Sequence, residues 1–69
     1  MEEFALGGHE FIELHNLLKV THLCDSGGMA KAIIAEGLVL VDGHQELRKR
    51  CKIRKGQVVE FDGHSVRVT

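Results

Sequence analysis

The basic side chains of this sequence are concentrated in one short stretch, residues 48–55. Six of the nine Lys and Arg residues of a chain with net charge −1 lie there, namely Arg48, Lys49, Arg50, Lys52, Arg54 and Lys55. Like charges this close repel one another, so a partner of opposite charge is expected, and the commonest such partner is a phosphate backbone. The charge pattern alone leaves one alternative open, a solvated basic loop without a partner. We call residues 48–55 the basic segment.

A second candidate for phosphate binding is the start of a helix that the sequence predicts from about residue 27. Asp25 or Ser26 is suited to cap this helix, and exposed N–H groups at a helix start attract anions. Gly27 and Gly28 would let a phosphate approach, and Lys31 lies about one turn further on. Glycine costs about 1 kcal/mol against alanine in a helix. The two glycines therefore indicate either close approach of another backbone or a turn requirement.

The spacing of the histidines and cysteines gives little indication of a metal site or a reactive thiol. Five histidines and two cysteines suggest zinc, but His22 and Cys24 match neither C-x-x-C nor H-x₃₋₅-H spacing. Cys51 is a formal nucleophile because Arg50 and Lys52 could lower its pKa, yet no oxyanion loop or orienting carboxylate accompanies it. We predict no enzymatic activity, no metal and no cofactor. A thiol or metal switch using both cysteines and the histidines is kept as an alternative.

Length and composition limit the remaining function classes. Sixty-nine residues predict a single domain over 1–69, whose core supplies roughly 3–5 kcal/mol of net stability. Three Phe and no Trp or Tyr are few for stacking the bases of a single strand. No apolar run approaches the ~20 residues of a membrane span, and two cysteines are few for a disulfide scaffold. A cytoplasmic monomer with reduced thiols is expected.

The hydrophobic pattern predicts an α+β fold, in which two helices precede a small, mostly antiparallel sheet. Helical spacing of apolar residues predicts helices over roughly 11–20 and 27–36, and residues 4–6 could form a short edge strand. Asp-Gly pairs at 42–43 and 62–63 predict two tight hairpins between short strands. The predicted apolar faces of the helices are Phe11, Leu14, Leu17 and Leu18, followed by Met29, Ala30, Ile33 and Ile34.

Four motifs occur together in this chain. They are Leu14-x-x-Leu17, Ser26-Gly-Gly-x-Ala30-Lys31, Ile34-x-x-Gly37-x-Val39-x-Val41-Asp42-Gly43 and Lys52-Ile53-x-x-Gly56-x-x-Val59. Together they resemble the RNA-binding domain first described in the small-subunit ribosomal protein S-four. The resemblance covers most of residues 12–61. The short length, the Arg-Lys-Arg run and the Gly-His-Ser-Val ending are similar to stand-alone bacterial members.

The resemblance implies an αL-motif fold that binds RNA in a bacterial cytoplasm, through the two helices and the adjacent strand and loop. By position, the resemblance places one set of residues on the family's contact region at the helix start, namely Ser26, Gly27, Gly28 and Lys31. It places a second set on the basic run of the stand-alone members, namely Arg48, Lys49, Arg50 and Lys52. Two departures concern the family's usual pattern. Many members have arginine in place of Gly27 and a basic residue where Ile12-Glu13 stand, which leaves Lys19 as a weak candidate contact on the first helix.

We therefore predict contacts mainly to phosphate and 2′-OH groups of structured RNA, with ribosomal RNA as one candidate. Arg54 and Lys55 complete the predicted binding set. Neutralising about five phosphates would give a salt slope of about −3.5 to −4.5. Changing Arg48, Lys49 and Arg50 together to glutamate is expected to abolish binding without unfolding the chain. This prediction requires that the basic segment and the helix start at Gly27 lie side by side. The alternative is a protein-interaction module that docks the basic segment on an acidic partner.

Overall fold

The computed structural model describes all residues from Met1 to Thr69. It contains two helices, α1 (Leu14–Val20) and α2 (Gly27–Ala35). The seven strands are β1 (Glu2–Phe4), β2 (Ile12–Glu13), β3 (Leu40–Val41), β4 (His44–Gln45), β5 (Lys52–Ile53), β6 (Val58–Phe61) and β7 (His64–Val68). The α+β fold class predicted from the sequence is confirmed.

Five of the strands form one sheet in the order β1-β7-β6-β3-β4, and β2 pairs separately with β5. All neighbours are antiparallel except β1 and β7, which run parallel with Glu2 opposite Val66. The sheet is therefore mostly antiparallel, as predicted. The edge strand lies at Glu2–Phe4 rather than at residues 4–6, because Leu6 has left the strand and is buried in the core.

Both Asp-Gly hairpins are confirmed. Asp42 and Gly43 have φ of 51° and 81°, and Asp62 and Gly63 have φ of 52° and 79°. Two consecutive residues with positive φ match the twist of the flanking strands, and Asp-Gly tolerates this conformation best. The first hairpin is also anchored to β6, because the Asp42 carboxylate accepts a hydrogen bond from the Val58 N–H at 2.9 Å. That bond lowers the pKa of Asp42.

The first helix is shorter than predicted. It begins at Leu14 rather than at residue 11, because Ile12 and Glu13 are extended and pair with Ile53 and Lys52. Helical spacing of apolar residues cannot reveal a strand partner forty positions away. The second helix agrees with the prediction to within one residue, since it ends at Ala35 and Glu36 is its C-cap.

Fourteen buried residues, all apolar, form one core cluster. Leu14, Leu17 and Leu18 of α1 are fully buried, and α2 contributes Ala30, Ile33 and Ile34. Two predicted core positions were wrong: Met29 is 41% exposed, and Phe11 is only half-buried and precedes α1. The remaining core comes from Leu6, Cys24, Val39, Val41, Ile53, Val59, Val66 and Val68.

Candidate nucleic-acid interface

The basic segment is attached to the start of α1 by backbone hydrogen bonds. The N–H groups of Leu14 and His15 donate to the carbonyls of Cys51 and Lys49, at 2.9 Å and 3.0 Å. The first N–H groups of a helix need acceptors from outside the helix, and the N-cap residue Glu13 makes no side-chain capping bond. Carbonyls of the basic segment supply the missing acceptors. The position of the segment is therefore fixed by the helix that it caps.

Strand β5 separates the residues of the basic segment into a buried and an exposed set. Ile53 is fully buried opposite Ile12, whereas Lys52 and Arg54 are exposed, as the alternation of side chains along an extended chain requires. Lys52 Nζ lies 5.0 Å and Arg54 Cζ 5.6 Å from the centroid of the Phe11 ring. Cations within about 6 Å of a ring centroid are attracted to it, so Phe11 helps to hold both charges in place.

Arg48 differs from the other basic residues because it has an acidic partner. Its Nε and Nη2 donate to the two carboxylate oxygens of Glu46, both at 3.0 Å, and its backbone N–H donates to Oε2 at 3.0 Å. These hydrogen bonds lower the pKa of Glu46 to about 2. Glu46 therefore partly offsets the charge of Arg48 at an exposed position, which distinguishes Arg48 from a cation without an acidic partner.

The other five cations of the segment have no acidic partner. The only two salt bridges in the structure are Arg48–Glu46 and His15–Glu13. The exposed, unpaired cations are Lys49, Arg50, Lys52, Arg54 and Lys55. An open cleft of about 350 Å³ lies among Arg48, Arg50, Cys51 and Lys52. The segment therefore presents a concentrated positive charge in a fixed position.

The two cysteines are both free, and the pKa of each thiol is raised. The possibility of a lowered pKa at Cys51 is not realised, because burial and the neighbouring Glu46 raise the pKa of its thiol. Burial likewise raises the pKa of Cys24, which is only 1% exposed. Both thiols are free, and no group of three or more His, Cys, Asp or Glu side chains could hold a metal ion.

The start of α2 is capped by Ser26, one of the two residues predicted for this role. Ser26 is the N-cap, with extended backbone angles, and its Oγ accepts a hydrogen bond from the Met29 N–H at 3.1 Å. The N–H groups of Gly27 and Gly28 donate to no protein acceptor, which leaves them available to a ligand. Lys31 is exposed and unpaired.

The structure removes two of the explanations for the glycine pair at the helix start. Neither Gly27 nor Gly28 has a positive φ, so no turn geometry requires glycine there. A Cβ at Gly27 would meet no atom within 4 Å, and one at Gly28 would meet only Ser26 Oγ, at 3.9 Å. No other part of the protein therefore occupies the space where a side chain at either position would lie. Approach of a phosphate from outside stays a prediction.

No hydrogen bond or salt bridge joins the basic segment to residues 26–31. The basic segment contacts the beginning of α1. The opening of α2 follows the end of α1 after a six-residue connection. Seven helical residues span about 10 Å. Between the two features, α1 carries no acidic side chain and exposes Lys19. A single continuous docking face is therefore still a prediction, and α1 would form its middle.

Two features of this region were missed in the sequence. Glu46 lies two residues before Arg48, and in an extended chain such residues point to the same side. This spacing was a signal for the pair. Phe11 was assigned to a helix face, and no local pattern predicts its contact with Lys52 and Arg54 more than forty residues later.

Neither helix is long and apolar enough to cross a lipid bilayer.

Comparison with known proteins agrees with this architecture. The S4 domain model matches residues 4–69. YbcJ of Escherichia coli (strain K12) is 56% identical over 68 residues, which cover 99% of this chain and 97% of YbcJ. The probable ribosome maturation protein RlbA of Bacillus subtilis (strain 168) is 41% identical over 54 residues, covering 78% of this chain and 76% of RlbA.

Two solved structures are similar to this fold. The solution structure of YbcJ from E. coli, described as revealing an alfaL motif involved in RNA-binding, has a TM-score of 0.78 and 55% identity and covers 100% of this chain and 87% of that one. The 30S ribosomal protein S4e from Thermoplasma acidophilum has a TM-score of 0.65 and 28% identity, and the match covers 86% of this chain and 31% of the S4e chain.

These relatives are named for RNA binding or for the ribosome, in agreement with the prediction of a non-enzymatic protein. The match of the S4 domain model over residues 4–69 and the 56% identity to YbcJ show that the chain belongs to the S4 domain family.

Proposed function

We propose that this protein binds structured RNA, as a cytoplasmic monomer, with the basic segment as the main contact. The observation that carries the proposal is the set of five exposed cations without acidic partners on a segment fixed against α1 and Phe11. A segment whose backbone is ordered before binding loses less conformational entropy when the complex forms. The segment is therefore suited to contact phosphates at a defined place rather than as a flexible tail.

The opening of α2 is the second contact in this proposal. The unpaired N–H groups of Gly27 and Gly28 would donate to phosphate oxygens, and Lys31 would supply one positive charge. Ser26 supports this arrangement indirectly, because its Oγ is engaged by Met29 and fixes the helix start. RNA that reaches from the basic segment to this end would run along α1 past Lys19. Such contacts read the shape of folded RNA through phosphate and 2′-OH groups.

Ribosomal RNA is the first RNA to test. RlbA is named for ribosome maturation, and S4e is a protein of the 30S subunit. Both names support, by analogy, a ribosomal target for this chain. Other folded RNAs have the same A-form backbone and serve as comparisons in the binding assay.

The proposal predicts that removing free cations from the basic segment reduces the salt dependence of binding. Each phosphate contact contributes about −0.7 to −0.9 to the slope of log K against log salt. The five free cations of the basic segment should contribute about −3.5 to −4.5 in the wild type, and a contact at Lys31 would add about −0.7 to −0.9. The triple variant Lys49→Gln, Arg50→Gln, Lys55→Gln should lower the contribution of the segment to about −1.4 to −1.8. Fluorescence anisotropy with a labelled ribosomal RNA hairpin at four salt concentrations measures both slopes.

Two single variants complete the experiment, one as a control and one as a test of the opening of α2. Arg67→Gln removes an exposed cation of β7 and should leave the slope unchanged, whereas Lys31→Gln should reduce its magnitude by about 0.7–0.9 if α2 contacts the RNA. Equal slopes for the wild type and the triple variant would contradict the proposal. A protein partner captured by the basic segment after ribonuclease treatment, without any RNA binding, would favour the protein-interaction module instead.

A further inference from the structure

An apolar cup lies beside the basic segment, and one of its lining residues is Phe11, whose ring also contacts Lys52 and Arg54. Its volume is about 290 Å³, close to the lower limit of small-molecule sites, which are roughly 300–1,000 Å³. The apolar lining is formed by Phe4, Leu6, Phe11 and Ile12, and the polar lining includes Glu13 and Asn16. We call this cavity the Phe11 cup. Its size suits one flat ring system among apolar side chains.

A second cleft, of about 570 Å³, adjoins the Phe11 cup and shares Leu6 and His9 with it. Its lining includes the unpaired cations Arg54 and Lys55, with Glu10 as the opposing acidic residue. Gly7 and Gly8 form part of its wall, and a Cβ at either position would meet no atom within 4 Å. An apolar cup thus opens directly onto a polar cleft with two positive charges.

We infer that the Phe11 cup and the adjoining cleft together bind one nucleotide, with its base in the cup and its phosphate on Arg54 and Lys55. Aromatic side chains stack on nucleobases of every type, because each base has a π-face. Phe11 is also the ring that holds Lys52 and Arg54, so a stacked base lies next to the charges that its own phosphate requires. The inference rests on the proposed function and adds one unpaired nucleotide to the structured RNA.

The polar lining of the cup specifies which bases it favours. Glu13 Oε1 is engaged by His15 Nε2 at 3.0 Å, while Oε2 has no partner. The side-chain amide of Asn16 is exposed and makes no hydrogen bond. A free carboxylate oxygen accepts from an amino group, and an amide both donates and accepts. Adenine, cytosine and guanine carry an exocyclic amino group, so the cup favours these bases over uracil.

A pair of hairpin RNAs tests this inference. Both have the same stem and one bulged nucleotide, which is adenosine in one and an abasic residue in the other. The backbone and its charge are identical, so any difference in affinity comes from the base. Stacking on an aromatic side chain predicts that the wild type binds the adenosine bulge about 5- to 150-fold more tightly. Equal affinities for the two hairpins would overturn the RNA assignment.

Variants locate the effect in the cup. Phe11→Leu should abolish the difference between the two hairpins, whereas Phe61→Leu, the same change at another half-buried Phe that packs on the core, should retain it. Asn16→Ala changes only an exposed helix residue, so the fold survives, and it should reduce the difference. A Phe11→Leu or Asn16→Ala protein that discriminates like the wild type would contradict the site.

A titration with adenosine monophosphate, followed by amide NMR signals, distinguishes an unpaired RNA nucleotide from a free one. Saturable shifts at Phe11 and Asn16, without any preference for the adenosine bulge, would support the nucleotide site and assign it to free nucleotides. No shifts and no bulge preference would overturn the inference. The abasic hairpin separates the two proposals, because it should bind with the full salt slope even if the cup is empty. Loss of that binding would instead refute the proposed function.

Discussion

The basic segment and the opening of α2 both offer groups that can bind phosphate, but the structure fixes them in different ways. The basic segment is fixed by distant parts of the chain, namely the first N–H groups of α1 and the ring of Phe11. The opening of α2 is fixed locally by the capping hydrogen bond to Ser26, and the buried face of α2 holds the helix against the core.

The two regions also offer different chemistry. The basic segment contributes five unpaired cations, whereas the opening of α2 contributes free N–H groups and one lysine. Cations supply affinity that weakens with salt, and N–H groups at a fixed helix end position a phosphate without adding to net charge. We therefore expect the segment to determine how tightly RNA binds and the helix opening to determine how the RNA is oriented.

The largest expected effect tests whether the core supports the opening of α2. Ile33 is 7% exposed on the buried face of α2, and Ile33→Ala should cost about 2–5 kcal/mol of unfolding free energy. That loss is comparable to the whole net stability of so small a domain, roughly 3–5 kcal/mol. Urea denaturation followed by circular dichroism measures it.

Met29→Ala is the matched control, because Met29 lies on the same helix and is 41% exposed. Its expected change is within about 0.5 kcal/mol. If both variants lost similar amounts of unfolding free energy, α2 would not pack on the core through Ile33. The opening of α2 would then lack the support that we assign to it.

A smaller effect tests the ion pair between Glu46 and Arg48. Glu46→Gln removes the carboxylate and leaves Arg48 uncompensated, so the salt slope of RNA binding should steepen by about 0.7–0.9. Glu60→Gln is the control, because Glu60 lies in β6 without an ion pair, and it should leave the slope unchanged. An unchanged slope in Glu46→Gln would show that Arg48 does not face the RNA.

The same pair has a defined pH dependence. Hydrogen bonds from Arg48 lower the pKa of Glu46 from 4.5 to about 2. A carboxyl group whose pKa is lower in the folded state stabilises that state fully above its unfolded pKa. Its contribution is lost as the pH falls through about 2. NMR titration of the Glu46 carboxyl should therefore give a midpoint near 2 in the folded protein, and a midpoint near 4.5 would exclude the pair.

The elements with local signals were predicted well from the sequence. Ser26 before the glycine pair gave the start of α2, and the two Asp-Gly pairs gave both hairpins. The charge of the basic segment was equally visible. These features depend on residues within a few positions of one another, so propensity and capping rules apply to them directly.

The features that the sequence did not reveal are all long-range. The beginning of α1 depends on the pairing of β2 with β5 and on a hydrogen bond from His15 to Lys49. The Phe11 cup likewise combines residues from the β1 region with the start of α1. A short run of apolar residues can fit either a helix or a strand. Pairing with a distant strand then decides which of the two forms, and the local pattern does not reveal that pairing. The ion pair between Glu46 and Arg48 is short-range and was overlooked, although the spacing of two residues was visible in the sequence.

The smallest expected effect distinguishes the two regions most directly, because stability and binding should change in opposite directions. Gly27 and Gly28 lie in the first turn of α2 without positive φ, and added methyl groups would meet no protein atom closer than 3.9 Å. Gly27→Ala with Gly28→Ala should therefore stabilise the helix by up to about 1 kcal/mol per site. A gain of 1 kcal/mol raises Tm by about 4–8 °C in a domain of this size.

If a phosphate approaches the free N–H groups of these residues, the same methyl groups will obstruct it, and RNA affinity will fall while Tm rises. Ala32→Gly, at an exposed position of the same helix, is the inverse control. It should lower the unfolding free energy by about 1 kcal/mol and leave RNA affinity unchanged, so affinity cannot simply follow stability. A glycine-to-alanine variant with raised Tm and wild-type affinity would remove the opening of α2 from the interface, and the basic segment would then act alone.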